Sequence, residues 1–252
     1  MEDNILCHVR REDIERTTSI DTHLAERLIQ EKIIHIKAKA YLAYNEKEIQ
    51  ELQESYQNLQ PDIHGIQRLR SYTKMIYKDN RVYETGDQRY TQTYSANDVD
   101  GGKIRTFPET ERPMLESSIT KKMIMRNIAF LTKSGYIQDG QSYQFWLHFI
   151  RYNIEPGKAS YASPTWLHMD DEEMVIVHLV NKSSNLVGWE NIIAKTRNDI
   201  LNVINLNSPF DSLVLTRSLL HAVVPMGSEN EENAFRDIIL FTIERPELIN
   251  SK

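Results

Sequence analysis

The chain has 252 residues, 40% of them apolar and 26% charged, and carries a formal net charge of -6. That composition suits a globular fold with a sizeable core, and β-rich chains of this length often form one domain. The acidic balance and the absence of a long basic run exclude a phosphate-binding surface, and with it nucleic acid as a partner. One cysteine, Cys7, excludes an internal disulfide and any cysteine-based zinc cluster. No stretch approaches the roughly 18 apolar residues of a membrane span, and the first residues lack the apolar centre of a signal peptide. A cytoplasmic protein without a membrane partner is expected.

In chain order, residues 22–32 place Leu24, Leu28 and Ile29 on one side of a helix, and the apolar stretch 33–44 reads as a short strand. Asn45 followed by Glu48 forms a capping box. It opens a helix that carries Ile49, Leu52, Tyr56 and Leu59 at helical spacing and stops before Pro61. Residues 1–62 are thus expected to be mostly helical support for a β-rich remainder, 63–252.

Beyond Pro61 the apolar period switches to two. Residues 90–94, 103–107, 143–152, 174–180, 211–215, 219–223 and 234–243 read as strands, and Arg70 and Tyr72 fall on another. Gly101-Gly102, Asp139-Gly140, Pro156-Gly157, Asn207-Ser208-Pro209 and Pro225-Met226-Gly227 supply the turns. An amphipathic helix over 114–132 interrupts the series, and a shorter helix is predicted near 197–204 with Thr196 as its cap. Many late strands with helices mostly ahead of them point to a β-sandwich or barrel braced by helices.

His168 stands in PTWLHMDDEE, just before the apolar run 174–180. On an extended chain His168 and Asp170 face the same way while Asp171 faces away. A second imidazole, His221, sits in the apolar strand sequence LLHAVV. Two histidines and one carboxylate with open positions form the facial triad of non-haem Fe(II) oxygenases; the competing reading is a core histidine with its hydrogen bonds satisfied. Arg236, in AFRDIILF, shares its strand face with Ile238 and Leu240. A buried guanidinium needs a carboxylate partner, either an internal Asp or Glu or a dicarboxylic ligand held bidentately.

The blocks SPTWLHMDDEE, MVIVHLVNKSSNLVGWENIIA, LLHAVVPMGSE and AFRDIILFTI, with RLRSYTKMIY and DGGKIRTF upstream, resemble the bacterial Fe(II)/2-oxoglutarate-dependent amino-acid dioxygenases of the L-isoleucine dioxygenase type. The resemblance spans roughly residues 68–243. It implies a double-stranded β-helix (jelly-roll) core with flanking helices, His168, Asp170 and His221 as iron ligands, and Arg236 as the partner of the distal 2-oxoglutarate carboxylate. It also implies dioxygen and a free aliphatic L-amino acid as reactants. Trp189-Glu190 departs from the family pattern, which bears on the preferred amino acid.

A free amino acid needs a cation for its carboxylate. Arg105, behind the flexible Gly101-Gly102 pair, is the first candidate, and Arg70 and Tyr72 are the next. Tyr152 and His148 share a strand face that reaches toward the cosubstrate, and Trp166 is a candidate apolar wall. Two alternatives of other kinds are a hydroxylase of a protein or peptide residue and a non-catalytic jelly-roll that binds a small ligand.

Overall fold

Apolar alternation over the three longest strands builds the centre of the fold. In the computed structural model, which describes residues 4–10, 12, 19–95, 99–163 and 166–244, the strands in the first half are β1 (Ile5–His8), β2 (Ile33–Ile36), β3 (Gln60–Pro61), β4 (Arg68–Lys78), β5 (Arg81–Glu84), β6 (Arg89–Tyr90) and β7 (Arg105–Thr106). The second half adds β8 (Tyr143–Ile154), β9 (Met174–Lys182), β10 (Leu186–Val187), β11 (Asn191–Thr196), β12 (Asp199–Ile204), β13 (Ser212–Thr216), β14 (Leu220–Val223), β15 (Gly227–Ser228) and β16 (Ala234–Glu244). The main antiparallel sheet runs β1-β5-β4-β8-β16-β9-β13-β2, with β3 paired to β4. A smaller layer consists of the sheet β12-β11-β14, the pair β10-β15 and single bridges at His168–His221 and Ser160–Met226.

The period of two divides the main sheet into two packed faces. Phe145, Phe149, Ile176, Ile239 and Phe241 pack on one side with helical residues such as Leu28, Leu52, Ile124 and Ile128. Ile150, Tyr152, Val175, Leu179, Leu213, Leu215 and Ile238 pack on the other, with Ile193 of the smaller layer. This two-layered β arrangement, with helices on the outer face, is the double-stranded β-helix expected.

Helix α1 covers Ser19–Glu31, α2 Ala38–Tyr41, α3 Glu46–Ser55, α4 Arg112–Leu115 and α5 Ser118–Lys133. The Asn45 capping box opens α3 as expected, with both reciprocal hydrogen bonds present. Among the described residues no helix is long and apolar enough to cross a membrane.

Several elements differ from the sequence expectation. The predicted strand over 33–44 ends at Ile36 and gives way to α2. The predicted helix over 114–132 is two helices, because Ser117 caps the second by accepting from the Thr120 N–H. Strands expected at 90–94 and 103–107 shrink to the two-residue pair β6–β7. The predicted helix over 197–204 is instead β12, which pairs with β11 in a hairpin. Thr196 takes the Asn198 N–H on its hydroxyl at 3.3 Å, closing a turn where a helix cap was expected. Ile200, Val203 and Ile204 then supply the β-branched side chains that favour a strand. The first 62 residues also do more than provide helical support, since β1 and β2 form the two ends of the main sheet.

Candidate metal centre and its cavity

His221 comes from β14, and His168 lies directly opposite it in an isolated antiparallel bridge. The two residues exchange both backbone hydrogen bonds, at 3.0 and 2.8 Å. That pairing sets their side chains on the same face, with ring centroids 4.4 Å apart. Asp170, two residues further along the extended chain, returns to this face. Its carboxylate oxygens lie 3.2 Å from Nε2 of His221 and 3.8 Å from Nε2 of His168.

One donor atom from each residue lies within 4.8 Å of the other two. Ligand atoms this close can share one ion, whose nitrogen and oxygen ligands stand about 2 Å from it. Burial works against a charged His221, but the Asp170 carboxylate outweighs it and holds the imidazole above its ordinary pKa. Burial likewise disfavours the Asp170 charge, and His221 and His168 overcome this to hold the carboxyl below its usual range. The cluster is thus built to accept a cation, and two imidazoles with one carboxylate match the donor set of non-haem Fe(II) sites. Asp171 points elsewhere and bonds to Thr93.

The three residues lie at the wall of a cavity of about 170 Å³ between the two layers. Cross-strand rows on the main sheet organise its floor. Arg236 of β16, Tyr152 of β8 and Arg68 of β4 form one row, and Ile238, Ile150 and Arg70 form the next. Val175, Val177, Leu213 and Leu215 continue the apolar surface.

Arg236 is 1% exposed, and none of its three guanidinium nitrogens has a hydrogen-bond partner among the described residues. Burial lowers its pKa, opposed by Tyr152 and Glu190. A buried guanidinium left in this state is costly, so its site is shaped for a carboxylate that the described residues do not supply through a hydrogen bond. Among the described residues no Asp or Glu hydrogen-bonds to it, and Glu190 acts on it only through its charge.

A second cationic region lies on the β4 side. Arg70 donates from Nε and Nη2 to Nδ1 of His148, at 3.2 and 2.7 Å, and stacks 3.9 Å above the Phe107 ring. Burial and the nearby arginines push His148 far below its normal pKa, leaving a neutral imidazole that accepts from Arg70. Burial lowers the Arg70 pKa to about 10, and Asp62, 3.6 Å away, bonds also to Arg68. Arg105 is 7% exposed and donates to Oε1 of Gln92 at 2.6 Å. Arg70, Arg105, Arg236 and Tyr152 therefore all line the cavity.

Three candidate residues do not line it: His148, buried behind Arg70, Tyr72 and Trp166. Tyr72 is fully buried behind His148, with ring centroids 4.8 Å apart, and its hydroxyl donates to the Arg89 carbonyl. Trp166 is 51% exposed. Leu167 has φ 43, and this left-handed residue breaks the alternation that would have carried Trp166 onto the face of His168. The sequence reading did not single out Arg68, Gln92, Asp100 and Asn191, which also line the cavity. Only Arg68 left a trace, as it alternates with Arg70 in RLRSY.

Known proteins agree with this geometry. A family model described as 2OG-Fe dioxygenase matches residues 53–242. The chain is 34% identical to an L-isoleucine-4-hydroxylase of Bacillus thuringiensis, over 87% of this chain and 96% of that protein. It is 32% identical to a 3(1)-hydroxy-L-isoleucine 4-dioxygenase of Pantoea ananatis, over 79% and 82% of the two chains. The crystal structure of IDO from Bacillus thuringiensis superposes with a TM-score of 0.80 at 28% identity, covering 91% of this chain and 97% of that one. The His168, Asp170 and His221 cluster shares its cavity with Arg236, and the chain belongs to the 2OG-Fe dioxygenase family.

Proposed function

We propose that this Fe(II)/2-oxoglutarate-dependent dioxygenase hydroxylates the side chain of a free aliphatic L-amino acid such as isoleucine or leucine, or oxidises the sulfur of methionine. The observation that carries the reading is the separation of charges in one cavity. Arg236 stands partnerless at one place, Arg70 and Arg105 lie on the β4 side, and apolar side chains run between them. The two amino-acid-oxidising relatives support the same substrate class.

In this reading His168, Asp170 and His221 hold ferrous iron, and Arg236 binds the distal carboxylate of 2-oxoglutarate with Tyr152 beside it. Arg105 or Arg70 meets the amino acid's carboxylate, while the apolar floor takes its side chain. Bound iron supplies the oxidising chemistry, with dioxygen consumed and 2-oxoglutarate converted to succinate and carbon dioxide. The chain's own residues fix both organic acids and keep water from the reacting carbon.

Succinate release and product mass spectrometry across free amino acids, their amides and short peptides test the proposal. Stimulation by aliphatic L-amino acids, with poor response to D-isomers and amides, is expected, because a buried cation left unpaired penalises ligands without the carboxylate. Oxidation of peptides or amides but of no free amino acid contradicts it.

A further inference from the structure

Asp170 opens the acidic run Asp170-Asp171-Glu172-Glu173, of which the metal cluster uses only the first carboxylate. The next two bind one distant segment. The Asp171 carboxylate accepts from the Thr93 backbone N–H and, at 2.6 Å, from its hydroxyl. Glu172, 3% exposed, accepts from the Tyr90 hydroxyl at 2.7 Å. Among the described residues no backbone hydrogen bond joins residues 90–93 to residues 170–172. These side chains form the tie.

The segment so held is part of the cavity wall. Tyr90 and Gln92 line it, Gln92 orients Arg105, and the Arg105 guanidinium lies 5.0 Å from the Tyr90 ring centroid. Two carboxylates that follow a metal ligand in the chain therefore fix part of the wall of the cavity that the ligand also lines.

We infer that Asp171 and Glu172 are positioning residues for the substrate: they lock the Tyr90–Gln92–Arg105 wall to Asp170 and so set the distance between the amino acid and the metal. This rests on the amino-acid reading above. Loss of the lock lets the substrate drift while the cosubstrate contacts at Arg236 and Tyr152, on other strands, persist. Displacement of a reacting group by about 1 Å can cost on the order of 100-fold in rate.

The test compares Asp171→Ala and Glu172→Ala with Asp171→Asn and Glu172→Gln, which keep an acceptor oxygen. Tyr90→Phe breaks the Glu172 contact from the other side should an alanine variant not fold. Three readouts are taken: the amino-acid and 2-oxoglutarate KM values, hydroxylated product per succinate, and hydrogen exchange over residues 90–93 in metal-free protein. The alanine variants and Tyr90→Phe are expected to raise the amino-acid KM or lower the product ratio by roughly tenfold. The 2-oxoglutarate KM should stay within about twofold, and the amide-containing variants should recover most of the loss. Exchange over residues 90–93 should accelerate in both alanine variants. Unchanged coupling and amino-acid KM in folded variants overturns the inference, as does a parallel rise in both KM values. If no free amino acid stimulates the wild type, the substrate reading fails, and the exchange data alone decide the lock: unchanged protection over residues 90–93 overturns it.

Discussion

At His168 and His221 the backbone performs the convergence. A reciprocal pair of backbone hydrogen bonds sets two residues 53 positions apart in the numbering side by side, and strand alternation adds Asp170 to the same face. Substituting any of the three by Ala is therefore expected to abolish turnover and weaken Fe(II) binding. Asp171→Ala should keep iron, because its carboxylate serves Thr93; metal content after anaerobic Fe(II) loading checks both outcomes. Arg236→Ala should leave iron binding intact and raise the 2-oxoglutarate KM at least about tenfold, since an unpaired buried carboxylate typically costs ~2–5 kcal/mol. An unchanged cosubstrate requirement would assign Arg236 to internal structure. His221 and Arg236 were legible in the sequence as polar groups set in apolar strands, and His168 with Asp170 as an alternate pair that shares one face. Trp166 was misread because the left-handed Leu167 interrupts that alternation, which no residue-type pattern signals for leucine.

Among the elements, the long strands β8, β9 and β16 were readable because both of their faces are largely buried and apolar residues dominate them. The β11–β12 hairpin was not. Five of the six β12 residues are exposed, so no buried face imposes a strand period, and Thr196 suits a turn as well as a helix cap. Pairing partners were equally hidden: β16 lies between β8 and β9, an order that local sequence does not encode. The β8–β16 pairing carries a charge pair on the helix-covered face, where Arg151 donates twice to Asp237 at 2.7 Å. Both residues are buried, so Arg151→Ala leaves an isolated carboxylate and is expected to cost about 3–5 kcal/mol. Urea unfolding should show this as a lower midpoint at unchanged slope. A change within about 0.5 kcal/mol would place the pair among those of little consequence.

Across the whole molecule, two layers enclose a cavity whose charged groups come from opposite sides. The sheet floor contributes Arg236 and Arg70, and the smaller layer and its bridge contribute the metal cluster. Helices α1, α3 and α5 cover the outer face, leaving the inner face for ligands. The double-stranded β-helix was legible through motif blocks shared with a known family, since strand periodicity alone allows any sandwich or barrel. The central claim is that the His168–Asp170–His221 cluster and Arg236 together bind iron and 2-oxoglutarate. Anaerobic absorbance titration with Fe(II) and 2-oxoglutarate tests it most directly. The wild type should develop the weak visible charge-transfer band of a chelated 2-oxo acid, His221→Ala should not, and Arg236→Ala should need more 2-oxoglutarate to reach it. Absence of the band in folded wild-type protein, or an equal band in His221→Ala, would contradict it.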